Sequence, residues 1–206
     1  ITKIAYTPNK DSIAEIKNNV GINVAAILQI ELNKGAPDNI FENIEGNSLE
    51  NEKGMRIVIY SFPVNNKEMH LKGEKYEIGR NELPENSNVV FEAGSEIDVR
   101  TIGIEVKGTL KIEGTNEKRC KIKGSRPIEG TETGNIEISK TDIEISVPSY
   151  ETGAIISRSG KIKLDGVVNK DEKKPNIIAS SAKEVEIINS ELREIQIGNK
   201  VDSGEN

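Results

Sequence analysis

The sequence predicts an all-β chain in which a small β-sandwich-like segment precedes a β-solenoid. Three observations lead there. Apolar pairs at i, i+2 spacing (Val89/Phe91, Ile97/Val99, Ile104/Val106 and Leu110/Ile112) recur every six to eight residues, with glycines or charges between them. Each pair is the mark of a short strand with one buried face, and no helical period separates them. The composition is 34% hydrophobic and 3% aromatic, with no Trp. Sandwich cores draw on Phe, Tyr and Trp, whereas a narrow solenoid core needs only stacked Ile, Val and Leu. Third, the strongest strands give a longer repeat: Phe91, Ile112, Ile138, Leu164 and Ile187 are spaced 21, 26, 26 and 23 residues apart. A chain that turns several times per coil and stacks coil on coil produces this rhythm.

Residues 1–80 have a different texture. Ile22, Val24, Ala26, Leu28, Ile30 and Leu32 alternate strictly with other residues and predict a long half-buried strand. Residues 55–62 (MRIVIYSF) are a second β run ended by Pro63, and the stretch between the two reads as loop. Residues 11–17 (DSIAEIK) fit one helical turn capped by Asp11 or a strand. This part reads as several antiparallel strands of a small sandwich. From residue 81 the short-strand rhythm takes over and predicts about four coils through residue 206. Strands are also expected at Ile143/Ile145, Ile155/Ile156, Ile177/Ile178 and Ile195/Ile197. The insertions at 125–134 (SRPIEGTETG) and 168–176 (VNKDEKKPN) are expected to bulge as loops, where binding surface is commonly built.

Charge bounds the partners. With 28 basic against 34 acidic residues the net charge is −6, which disfavours nucleic acid because phosphate neutralisation needs a basic face. No apolar run reaches the ~18 residues of a membrane span, so direct membrane insertion is not expected. One cysteine, Cys120, rules out an intramolecular disulfide. The chain opens at Ile1 with no leader, so any export signal or anchor is expected to lie outside it.

Residues 103–115 (GIEVKGTLKIEGT) resemble the coil of right-handed parallel β-helix regions in bacterial secreted and surface proteins, and residues 83–99 resemble the coil that leads into it, with Gly94 at its turn. The resemblance covers about residues 83–200 and is specific at 89–115. It implies a pectate-lyase-like architecture, a fold that hosts enzymes and inert adhesive stalks alike. Residues 54–79 resemble a strand pair of cohesin-like or immunoglobulin-like modules, and no binding residue is carried over from them.

Polysaccharide lyases and hydrolases on β-helices work with clustered Asp residues, often with calcium, and a basic partner. Here there are 34 acidic residues of which only seven are Asp, with no Asp-rich motif. Asp98, Asp142 and Asp165 each sit beside a core strand and would face one side of successive coils, with Arg100 and Arg158 the nearest cations. These five are the ligand-binding candidates; the plainer reading is solvent-facing strand and turn residues. His70, in a turn-like KEMHLKG, reads as a structural histidine, and Cys120 as a core-facing small hydrophobe despite neighbouring cations. No catalytic residue and no metal site is assigned, and calcium is the one ion that the enzyme alternative brings. Charges at alternate strand positions (Lys111/Glu113, Lys121/Lys123, Lys161/Lys163, Glu184/Glu186) face outward and stack in rows. The expected function is a non-catalytic structural or adhesive module, secreted or at the cell surface, presenting an extended surface for a carbohydrate or protein ligand. The alternatives are a polysaccharide lyase or hydrolase and a phage tail-spike segment.

Overall fold

The computed structural model describes residues 4–6, 15–22, 28–30, 44–46, 48–49, 56–62, 64, 68–79, 82–131, 133–146, 153–158, 160–169, 177–179 and 182–198. Among them there is no helix, and every strand pairing is parallel. The strands form three long ladders. Face 1 stacks Glu68–Leu71, Asn88–Phe91, Thr109–Glu113, Asn135–Ser139, Lys161–Asp165 and Glu184–Ile188. Face 2 stacks eight strands: Ile4–Tyr6, Leu28–Ile30, Arg56–Ile59, Lys75–Ile78, Glu96–Asp98, Cys120–Gly124, Thr141–Ile145 and Val168–Asn169. Face 3 stacks Glu82–Leu83, Ile104–Val106, Ile128–Gly130, Ile155–Ser157, Ile177–Ala179 and Ile195–Ile197. The chain visits faces 1, 2 and 3 in turn, winding a parallel β-solenoid of about five turns.

The repeat read from sequence is the register itself. Phe91 opposes Ile112, Ile112 opposes Ile138, Ile138 opposes Leu164, and Leu164 opposes Ile187. The row begins one coil earlier, at Leu71. Inward positions alternate with outward ones, as pleating requires. All eight residues of the four diagnostic apolar pairs are at most 1% exposed. Two of the core's aromatics meet where faces 1 and 2 converge: the Tyr76 and Phe91 rings pack edge to face at 5.2 Å and 72°. The buried Tyr76 hydroxyl donates to the Lys72 carbonyl at 2.5 Å, and burial raises its pKa well above the usual value.

Corners decide how tightly the coil closes. Between faces 3 and 1, Gly108, Gly134 and Gly160 precede successive face-1 strands and stack on one another. A Cβ on Gly160 would run into the Gly134 carbonyl, and one on Gly134 into the Val106 carbonyl. At the corner between faces 1 and 2, Gly94 turns the chain with φ +87°, a left-handed conformation open to glycine.

The N-terminal region corrects one expectation. Arg56–Ile59 pairs in parallel with Lys75–Ile78, and Leu28–Ile30 with Arg56–Ile59, so these strands extend face 2 and form no antiparallel sandwich. Two short parallel pairs, Ile16–Lys17 with Ile44–Glu45 and Val20–Gly21 with Ser48–Leu49, lie in the same stretch. The connection between residues 59 and 75 carries the face-1 strand Glu68–Leu71. Alternation marks a half-buried strand whether its neighbour is parallel or antiparallel, so the pattern alone could not separate the two. The ladders therefore cross residue 81 without interruption. Ile16–Lys17 is a strand, whereas residues 11–14 lie outside the described residues, as does much of the long strand expected from Ile22 to Leu32. The insertion at 125–134 is not simply a loop, because it contains Ile128–Gly130 with Ile128 fully buried. Of 168–176, Val168–Asn169 is a face-2 strand and the rest lies outside the described residues.

Candidate functional site

Outward residues of faces 1 and 2 are largely matched to one another. On face 2, Lys75, Glu96, Lys121 and Asp142 stack in one row with alternating sign. Lys123 reaches Glu96 at 2.6 Å and Lys121 reaches Glu144 at 2.9 Å. The Glu96 carboxyl feels a desolvation that works to raise its pKa, but hydrogen bonding and charge from Lys123 leave it lowered. On face 1, Lys161 and Lys163 meet Glu184 and Glu186 of the next coil at 2.5 and 3.1 Å.

Face 3 differs. Its outward row opens with Glu82, Glu105 and Glu129, three carboxylates in register on successive coils. Like charges stacked at strand spacing repel, and cations from the following corner answer them. Lys107 Nζ lies 3.2 Å from Glu82 and 3.7 Å from Glu105, and the Glu82 hydrogen bond foremost raises its pKa. Arg158 Nε donates to Glu129.

Beside this row lies a groove of about 640 Å³. One wall is the corner between faces 2 and 3, with Thr101 and Ile102 from one coil and Arg126 and Pro127 from the next. The other side is Ile104, Glu105, Glu129 and Thr131 on and after face 3. Ile102 is 40% exposed, and Arg126 is exposed with no carboxylate partner among the described residues. The groove thus offers a guanidinium fork, two carboxylates and an apolar patch within two coils, an arrangement suited to hydrogen bonding a polar ligand with an apolar flank.

The five candidates do not converge. Asp98 and Arg100 build the groove's corner without lining it: Asp98 Oδ1 accepts from the Arg100 N–H at 2.9 Å, holding Arg100 at φ +51°. The Arg100 guanidinium pairs with Glu77, whose side chain is nearly buried. Asp142 is on face 2, paired with Arg119 at 2.9 Å, while Arg119 also donates to the Gly166 carbonyl at 3.0 Å. Asp165 ends a face-1 strand, where hydrogen bonds from Lys140 and then Asn189 lower its pKa. Arg158 reaches the site only through Glu129. Of the three Asp residues expected on one side, Asp98 and Asp142 share face 2 and Asp165 lies on face 1. Asp98 opposes Lys123 where Asp142 opposes Lys121, so the two carboxylates stand in different outward rows of that face.

His70 lies within strand Glu68–Leu71 and not in a turn, its two ring nitrogens each 3.1 Å from a carboxylate, Glu92 and Glu68. Cys120 is 1% exposed, its thiol donates to the Glu92 carbonyl at 3.3 Å, and burial raises its pKa. No group of three or more His, Cys, Asp or Glu among the described residues could hold a metal ion. Among the described residues no helix is long and apolar enough to cross a membrane. Glu105, Arg126 and Glu129 were not singled out from sequence; carrying the coil repeat onto face 3 would have aligned Glu82, Glu105 and Glu129.

Fold and groove together define the class: a parallel β-solenoid with a lateral groove on one face, an architecture consistent with structural or surface modules. No family model, curated protein or solved structure matches this chain.

Proposed function

We propose that this chain is a non-catalytic structural module, a stiff solenoid shaft whose face-3 groove docks a carbohydrate or protein ligand at the surface of a bacterium or in its secretions. The observation that carries the reading is the contrast in outward charge. Faces 1 and 2 bind their charges to one another, while the groove keeps the Arg126 guanidinium beside Glu105, Glu129 and exposed Ile102. The pectate-lyase-like resemblance of residues 89–115 supports the setting and a right-handed coil.

A glycan array probed with the labelled chain tests this reading. Binding to a defined sugar class, weakened about tenfold or more by Arg126→Ala, is the expected result. Silence across host and plant polysaccharides would remove the carbohydrate ligand and leave a spacer or protein-docking role. The second reading, a polysaccharide-active enzyme, rests on Glu105 and Glu129 facing each other across adjacent strands. New reducing ends or unsaturated products from an incubated polysaccharide, lost in Glu129→Gln, would establish it over the first.

A further inference from the structure

On the reading that the face-3 groove docks a ligand, its walls narrow what that ligand is. Backbone bonds hold its two corners together. The Ser125 N–H donates to the Arg100 carbonyl at 2.7 Å, and the Ile104 N–H donates to the Pro127 carbonyl at 3.1 Å. Thr101 and Ile102 therefore lie one coil from Arg126 and Pro127, a spacing of about 4.8 Å. Gly103 leaves room for the Arg126 stem, because a Cβ there would come within 3.1 Å of the Arg126 Cβ.

Charge in the groove does not cancel. Lys107 lies 3.7 Å from Glu105, and Arg158 donates to Glu129, so each carboxylate already has a cation. Arg126 has no carboxylate partner among the described residues, which leaves one positive charge to be met. A planar guanidinium pairs best with a carboxylate, through two parallel hydrogen bonds. A phosphate dianion would be set against Glu105 and Glu129 as well. None of the described residues lining the groove is aromatic, so a sugar face finds no ring to stack on. The apolar surface is aliphatic instead, from Pro127 and from Ile102, which is 40% exposed. Ionised Glu105 and Glu129 can only accept hydrogen bonds, and so suit N–H donors.

A carboxylate, an aliphatic side chain and an N–H must then fit within about one coil spacing. The last residue of a polypeptide carries all three on one Cα. Inside an extended chain, an acidic side chain and the next side chain on its face stand about 6.6 Å apart, wider than the coils. We infer that the groove captures the C-terminus of a partner polypeptide ending in Leu, Ile or Val. Arg126 takes the α-carboxylate, Ile102 and Pro127 take the terminal side chain, and Glu105 or Glu129 accepts the terminal N–H.

The test applies the labelled full chain to an array of eight-residue peptides tethered by their N-termini, with every residue type represented at the last position. Each peptide is printed with a free carboxylate and as its C-terminal amide. Free peptides ending in Leu, Ile or Val should be retained about tenfold more tightly than their amides. Arg126→Gln should abolish that difference, and Arg126→Lys, which keeps the charge but loses the fork, should weaken it. Ile102→Thr should remove the preference for an aliphatic last residue while the need for a carboxylate stays. Both side chains are exposed, so these variants leave the core intact. Equal retention of acids and amides, or retention set by internal Asp or Glu, would overturn the C-terminal assignment and leave the groove a docking surface. Glycan binding that Arg126→Gln abolishes, with no peptide retained, would do the same. Silence from peptides and glycans alike would overturn the docking role along with it.

Discussion

Faces 1 and 3 are wound from the same coils around one core, yet they present different surfaces. On face 1 an outer row alternates in sign, and Lys111 reaches back two coils to Glu68 at 2.6 Å. That reach carries its stem past Val90, which is 1% exposed although it occupies an outward position. On face 3 the outer row stacks like charges at Glu82, Glu105 and Glu129, so their partners come from the corner, at Lys107 and Arg158. A face whose charges match along the ladder closes on itself. A face that stacks like charges keeps its polar groups turned toward neighbours and leaves a groove.

The largest expected effect tests what the two faces share. Phe91→Ala removes a fully buried ring packed on Tyr76 and should lower unfolding free energy by about 4 kcal/mol in urea. Amide protection should fall on face 3 at Ile104–Val106 as well as on face 1. Protection lost on face 1 alone would show that the faces do not unfold as one unit.

Acid separates the faces next. Hydrogen bonds from Lys111, Lys140 and Lys161 hold Glu68, Asp165 and Glu184 of face 1 below their ordinary values. Their folded pKa values lie under the unfolded ones, so their stabilisation is complete above the unfolded carboxylate range. It is lost as pH falls through the folded values. The urea midpoint should hold from pH 7 to about 5 and drop below about 4. The triple variant E68Q/D165N/E184Q should flatten that drop. A midpoint as steep in the variant as in the parent chain would remove face 1 as the source.

The smallest effect sharpens the comparison inside face 3. Ser157 is fully buried at an inward position, and its hydroxyl has no hydrogen-bond partner among the described residues. Face 1 carries only apolar side chains at the matching inward positions Leu164 and Ile138. Ser157→Ala should raise stability by about 1 kcal/mol, read as a higher urea midpoint. A loss of stability would mean that the hydroxyl is satisfied in solution.

Much of the solenoid was legible in the sequence because a coil repeat is a one-dimensional signal. The spacing from Phe91 to Ile187 depends only on which residues are apolar and how far apart they lie. The groove was not legible because it needs residues from two coils at one corner. Thr101 and Ile102 meet Arg126 and Pro127 only after the chain has gone once around. Likewise, the strands near Ile57 and Tyr76 were readable as strands, while their parallel pairing was not.

The sequence by itself determined that this chain is all β, that Ile, Val and Leu at alternate positions build one narrow core, and that Cys120 faces into it. Pleating makes burial a local, period-two property, so those residues had no other place to go. Tertiary structure alone decided which face each outward charge occupies, which carboxylates stack, and where the groove beside Arg126 forms. Those depend on corner lengths and on the neighbouring coil, and neither is encoded within a single strand.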